Sequence, residues 1–181
     1  MAERAARLLD EFLVADARAG GRGALDRLVR SWQPRLVAHA WRLTGDRELA
    51  RDAAQTGWGE IVRGLGSLRD ERAFPAWAYR IVSRACAREI AGAVRRRELA
   101  SALASEAADA AEPIAPSDAE RLQAAIRRLP PGERAAIALH HFEDLRVAEV
   151  AVALAVPVGT VKTRLMNARR KLRSILEGEQ S

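Results

Sequence analysis

The chain has 181 residues, 49% of them hydrophobic but only 4% aromatic, enough for one domain or two small ones around an aliphatic core. Its formal charge of +6, from 30 basic against 24 acidic residues, favours an anionic partner. Cys86 is the single cysteine, which excludes an internal disulfide and a cysteine metal cluster. No apolar run reaches membrane-spanning length and the N-terminus leads into no signal-peptide core, so a soluble, cytoplasmic protein without membrane insertion is expected.

Three zones separate by charge. The first, to Arg97, is helical in pattern and rich in Arg. The second, Glu98 to Glu120, holds six acids and no Lys or Arg, together with Pro113 and Pro116. It reads as a linker with a short helix in its Ala-rich first half. Two roles fit that linker: a solvated spacer, or a segment lying against a basic surface of this chain or of a large nucleic-acid enzyme. The third zone, from Arg121, is helical and basic again.

In the first zone, Ala5 to Arg18 forms an amphipathic helix with Leu8, Leu9, Phe12 and Leu13 on one side. Gly20, Gly21 and Gly23 break it. Ala24 to Leu43 follows, interrupted only by Pro34, where a helix kinks or restarts. Asp46 caps the next helix, Arg47 to about Leu65, which Gly57, Gly59 and Gly64 weaken by about 1 kcal/mol each relative to Ala. A last helix starts near Phe74-Pro75 and runs to Arg97. Nothing alternates with period two for long, so no sheet is predicted.

The third zone gives four helices. Asp118 to Leu129 has Leu122, Ile126 and Leu129 on one face. Pro130-Pro131-Gly132-Glu133 ends it and begins a short apolar helix to Phe142. Arg146 to Leu154, the turn Ala155-Val156-Pro157 and a long basic helix then make a helix-turn-helix. In that last helix Val161, Leu165, Ala168, Leu172 and Ile175 share one face. Lys162, Arg164, Arg169, Arg170, Lys171 and Arg173 are basic, and no acid lies between Val158 and Leu176. Such a helix buries one side and offers the other to phosphate and base edges. His140 and His141 are sequence neighbours that cannot share a helical face, so they read as packing or surface groups, and Cys86 as buried and inert. No metal site and no cofactor are expected.

These residues resemble the extracytoplasmic-function group of bacterial sigma-70 factors. Leu129 to Arg134 looks like the opening of the family's fourth region. Val150-Ala151, Leu154 to Leu165 and Ala168 to Leu172 look like its reader of the promoter −35 element. Asp52-Ala53-Ala54-Gln55 is similar to its core-polymerase-binding helix, and Phe74 to Val82 to its DNA-melting segment. The resemblance implies an all-α fold of two small helical domains, residues 1–97 and 118–181, joined by a flexible acidic linker over 98–117.

It also implies site residues and partners. Lys162, Thr163, Met166 and Asn167 would face base edges in the −35 element, with Thr160, Arg164, Arg169 and Arg170 beside them or nearer phosphate. Chemically, Lys suits guanine acceptors, Asn pairs with adenine, and Met or a Thr methyl touches a thymine methyl. The loop from Gly64 to Arg72, with Trp77, Tyr79, Arg80, Arg84 and Arg88, would take the −10 element, and Arg95, Arg96 and Arg97 would lie along the strand or its upstream duplex. Core packing is the competing role for Tyr79 and Arg80, and the preferred one for Phe74 and Trp77. Asp52, Gln55 and Trp58 would dock on core RNA polymerase. An anti-sigma factor is a further expected partner.

Some positions depart from the family pattern. Thr56 replaces an acid, Arg84 and Arg88 replace an Asn and an Asp, Ala155 replaces the turn glycine, and Arg146 replaces a Ser or Thr cap. The protein is expected to be a promoter-specificity subunit rather than an enzyme. The alternative is a homodimeric helix-turn-helix regulator that binds a symmetric operator without polymerase.

Overall fold

The computed structural model describes residues 2–101 and 117–178, and all regular structure among them is helical. The elements are α1 (Ala2–Arg18), α2 (Arg22–Thr44), α3 (Arg47–Gly64), α4 (Phe74–Ser101), α5 (Asp118–Arg127), α6 (Pro131–Ile137), α7 (Val147–Leu154) and α8 (Val158–Gly178). Single 3-10 turns at Leu65–Ser67 and Glu71–Ala73 join α3 to α4.

Helix α1 turns a different face inward from the one its leucines suggest. Asp10, Leu13 and Val14 are buried, whereas Leu8, Leu9 and Phe12 are 58%, 47% and 63% exposed. At 100° per residue, positions 10, 13, 14 and 17 form one stripe and 8, 9 and 12 another. The buried Asp10 carboxylate faces Arg35 Nη1 at 3.5 Å; burial raises its pKa, and Arg35 opposes the rise.

Helix α2 runs unbroken through Pro34. Pro34 is exposed, so the carbonyl it leaves unpaired faces water, where the loss is smallest. Leu28, Trp32, Leu36, His39, Ala40 and Leu43 make its buried stripe. Gly45, at φ +72°, closes α2 with its N–H on Trp41 O at 2.8 Å, a left-handed position that suits glycine. Asp46 then caps α3, Oδ1 accepting from the amides of Glu48 (2.8 Å) and Leu49 (3.0 Å).

Helices α3 and α4 cross closely at Gly57, where a Cβ would stand only 2.7 Å from Val82 Cγ2. The small residue here is a packing requirement that outweighs its helix propensity. Helix α4 continues to Ser101, four residues past the expected end at Arg97, because Glu98-Leu99-Ala100 contains good helix formers and no breaker. The rest of the expected linker, with its flexibility and short helix, lies outside the described residues.

The core of this half is aromatic despite the low aromatic content. Trp32 meets Phe74 edge-to-face with centroids 5.0 Å apart and lies 5.6 Å from Tyr79, which in turn packs on His39 at 5.0 Å. His39 is fully buried, its Nε2 2.9 Å from Ser83 Oγ. Burial first, and Arg42 second, pull its pKa down to about 3. A histidine held neutral by folding stabilises the fold above its unfolded pKa of about 6.5 and loses that contribution as pH falls. Urea titrations should therefore show stability declining by about 1 kcal/mol per pH unit below 6.5, and His39→Gln should flatten that decline.

The second half begins with a capping box. The Ser117 amide donates to Glu120 Oε2 at 2.8 Å, and the Glu120 amide donates to Ser117 Oγ at 3.3 Å. Pro131 opens α6 at its first turn. The helix widens into a π-turn over Ala138–Phe142, and His140 Nδ1 lies 2.8 Å from Leu145 O. Ile126, Leu129, Leu139, Val150, Val161 and Leu165 form the core.

The two halves touch directly. Arg42 Nη1 donates to Glu143 Oε1 at 2.7 Å, and the Tyr79 hydroxyl donates to the other Glu143 oxygen. The Arg42 guanidinium also lies over the Phe142 ring, 4.4 Å from its centroid. Arg134 Nη1 donates to Leu43 O at 2.7 Å, and Arg7 Nη2 to Asp144 O at 3.3 Å. Helix α7 packs along α4.

Candidate nucleic-acid interface

The helix-turn-helix is built by a left-handed residue and a proline. Ala155 adopts φ 53°, ψ 46°, and its amide donates to Val152 O at 3.2 Å. The Val156 amide donates to Ala151 O at 3.1 Å, and α8 starts after Pro157. Left-handed backbone costs an L-residue about 1–2 kcal/mol. The Ala155 side chain is exposed and loses nothing on removal. Ala155→Gly should thus stabilise the protein by about 1 kcal/mol in thermal or urea unfolding. Arg146 begins α7 with half a capping box. A guanidinium has no acceptor, so it cannot cap the helix, but the Arg146 amide donates to Glu149 Oε2 at 2.7 Å.

Val161, Leu165 and Ala168 anchor α8 with at most 4% of their surface exposed. Lys162, Thr163, Met166, Arg169 and Arg170 therefore face outward, with Met166 61% exposed. An apolar side chain presented that fully beside four polar ones suits a face made for another surface. Thr160, Arg164 and Asn167 stand half-buried at the edges.

Several of these side chains are held in place. Arg169 Nη2 lies 3.2 Å from His141 Nε2. Burial, His140 and Arg169 lower the His141 pKa, and because a guanidinium only donates, the contact forms with the tautomer whose Nε2 is unprotonated. Arg170 Nη2 donates to Asn167 Oδ1 at 3.4 Å. Lys171 points elsewhere, donating to Glu133 Oε1 at 2.8 Å. The Arg164 guanidinium rests against Gly132, where a Cβ would come within 3.0 Å of it.

The residues read as −10 contacts divide. Arg72, Arg84 and Arg88 are exposed, as are Arg95, Arg96 and Arg97 farther along α4. Arg72 is tied to Asp70 Oδ1 at 3.1 Å, and Arg88 pairs with Glu60. Arg80 is half-buried, its Nε buried without a hydrogen-bond partner in the described structure. Tyr79 is wholly buried, which removes its ring from any DNA surface in this conformation. Trp77 is partly buried, its ring 6.1 Å from Phe74 and against Gly64, so packing is its role here. Leu65 and Leu68 anchor the Gly64-to-Arg72 loop, leaving Gly66, Ser67, Arg69 and Asp70 outward.

On α3, Asp52 and Gln55 are exposed on one face, lining a shallow recess with Thr56, Gly59, Arg63 and Glu89. Trp58 is 9% exposed and belongs to the core. Its indole points inward because positions 54, 58 and 61 form the buried stripe. It therefore lies beneath the exposed Asp52 and Gln55 and offers no surface contact. Cys86 is buried, and burial pushes its thiol up to about 12, so it stays protonated near neutral pH.

Sequence comparison matches residues 28–96 to sigma-70 region 2 and residues 119–172 to sigma-70 region 4. The chain is 33% identical over 172 residues to the ECF RNA polymerase sigma factor SigM of Mycobacterium tuberculosis, covering 92% of this chain and 84% of that one. The chain belongs to the extracytoplasmic-function group of sigma-70 factors. It is also 29% identical to the RNA polymerase sigma-H factor of Pseudomonas aeruginosa, over 93% of this chain and 94% of that one. Its fold is shared by CnrH, solved with the cytosolic domain of CnrY, at a TM-score of 0.72 and 23% identity, over 94% of this chain and 98% of that one.

As a sigma factor, the protein directs promoter-specific transcription initiation, binding core RNA polymerase and promoter DNA, and is not an enzyme. This sets aside the homodimeric regulator. Among the described residues no helix is long and apolar enough to cross a membrane.

Proposed function

We propose a division of labour within this sigma factor. Residues 118–181 hold the −35 element through the outward face of α8, with Lys162, Thr163, Met166 and Asn167 at base edges and Thr160, Arg164, Arg169 and Arg170 nearer phosphate. Residues 1–97 dock on core polymerase through Asp52 and Gln55 and engage the −10 element through Arg72, Arg80, Arg84 and Arg88. Residues 98–117 link the two. The outward grouping of Lys162, Thr163, Met166, Arg169 and Arg170 over a buried Val161–Leu165–Ala168 stripe carries this reading.

The protein works in the cytoplasm under an anti-sigma factor. The solved sigma factor RpoE of similar fold is in complex with the anti-sigma factor NepR from Bartonella quintana. Asp52→Arg places a cation on the exposed α3 face. It should lower affinity for core polymerase at least about tenfold, since a reversed charge on a contact face costs about 1.4 kcal/mol or more, and leave −35 duplex binding unchanged. Unaltered polymerase binding in a pull-down titration would remove Asp52 from the docking surface.

A further inference from the structure

We infer that the cavity bounded by α4, α6 and α7 binds a small amphiphilic anion, a monocarboxylate with an apolar tail, whose head is held by Arg80, Arg84 and Arg134. The site belongs to the free chain and stands apart from the sigma reading.

The cavity measures about 490 Å³, within the range of small-molecule sites. Leu43 from α2, Ala87 and Ile90 from α4 and Leu154 from α7 supply much of a mainly apolar wall. Among the described residues, the charged groups lining it are three guanidiniums, Arg80 and Arg84 of α4 and Arg134 of α6, and no acid accompanies them.

These three cations differ from their neighbours in lacking a counter-ion. Arg35 pairs with Asp10, Arg42 with Glu143 and Arg88 with Glu60. Among the described residues, Arg80, Arg84 and Arg134 pair with no carboxylate. Arg134 donates through its two Nη groups to the Leu43 and Leu129 carbonyls, and its Nε is buried without a partner, as is that of Arg80. Buried donors are nearly always satisfied, and a partly buried cation without a counter-charge is costly. Burial first, and Arg127 second, lower the Arg134 pKa; an anion in the cavity would oppose that shift.

The wall decides the class of anion. A bare inorganic ion would leave the apolar surface wet, and a neutral apolar ligand would leave three cations unmet. A nucleic-acid strand keeps its phosphates hydrated. It suits the open face of α4, where Arg88, Arg95, Arg96 and Arg97 are exposed, better than an apolar recess. A carboxylate matches guanidinium donors, and its tail covers the apolar wall. An occupied cavity would withhold Arg80 and Arg84 from a −10 strand; that consequence rests on their proposed −10 role, whereas the site does not.

Equilibrium dialysis of the full chain against radiolabelled octanoate reads the site directly. Wild type should bind one octanoate per chain, saturably, with a Kd of about 1 mM or tighter, as suits a ligand of that size. Acetate and octanol at equal concentration should each compete poorly. Ala87→Trp fills the cavity from an exposed position of α4 and should weaken binding at least about tenfold, with unchanged helical ellipticity. Arg84→Gln, which removes an exposed cation, should weaken it about two- to fivefold. Ala91→Trp, one turn farther along the same wall, repeats the test if Ala87→Trp does not fold. Absence of saturable binding overturns the proposal. So does full competition by acetate, which would make the arginines a general anion patch, or by octanol, which would make the cavity merely apolar. Wild-type affinity in the Trp variants would place octanoate elsewhere and overturn it too. None of these readouts involves DNA or polymerase, so their failure leaves the sigma reading untouched.

Discussion

Lys162→Ala should weaken binding to a −35 duplex about 10- to 100-fold, because a base-edge contact contributes roughly 1–3 kcal/mol of discrimination. Lys162 is exposed on the outward face of α8, one residue after the fully buried Val161. Lys171, nine positions along the same helix, provides the contrast. It donates to Glu133 of α6 at 2.8 Å, about half a turn around α8 from Lys162, so Lys171→Ala should change DNA affinity little and show instead as a small loss of stability. Fluorescence anisotropy on a labelled duplex separates the two variants. Equal losses would mean that general positive charge, and not the geometry of α8, drives binding. Phosphate contacts near Arg164 and Arg169 should make wild-type affinity fall steeply with salt, and a base-edge variant such as Lys162→Ala should keep most of that slope.

Trp32→Ala should destabilise the protein by about 3–5 kcal/mol, a large share of the 5–15 kcal/mol typical of a domain. Trp32 is fully buried between Phe74 and Tyr79, with the Arg35 guanidinium 4.1 Å from its ring centroid. Its removal takes away the centre around which α2 and α4 pack and leaves a cavity that Phe74 cannot fill without abandoning its edge-to-face contact. Chemical denaturation followed by tryptophan-independent circular dichroism measures the loss. A change under about 1 kcal/mol would mean that the half is held by its alanine-rich α3–α4 crossing alone.

Much of the molecule was legible in the residues. Asp46, Gly45 and Pro131 mark helix ends by local chemistry, and the Val161–Leu165–Ala168 spacing gives the buried side of α8 without knowledge of what it packs against. The misreadings share a physical cause. Leu8, Leu9 and Phe12 outweigh Leu13 and Val14 in bulk apolarity, yet α1 turns the latter pair inward, and Asp10, carried in on the same face, is accommodated by Arg35. Hydrophobicity along one helix carries no information about an ion pair on another.

Trp58 and Tyr79 sit in segments that match functional motifs, and such motifs also contain the residues that hold the contacts in place. Their depth becomes visible only when α3 and α4 are packed. Along the sequence Gly57 reads only as a weak point in its helix; its reason, the 2.7 Å a Cβ would leave to Val82 Cγ2, is tertiary. Glu143 and Arg42 are 101 positions apart, and no local pattern announces that they meet.

In vitro transcription with purified core RNA polymerase tests the sigma assignment most directly. The protein should convert core enzyme into one that initiates from a defined subset of promoters on a genomic template, and Asp52→Arg and Lys162→Ala should each reduce that initiation. A protein that neither binds core polymerase nor supports initiation from any promoter would contradict the account.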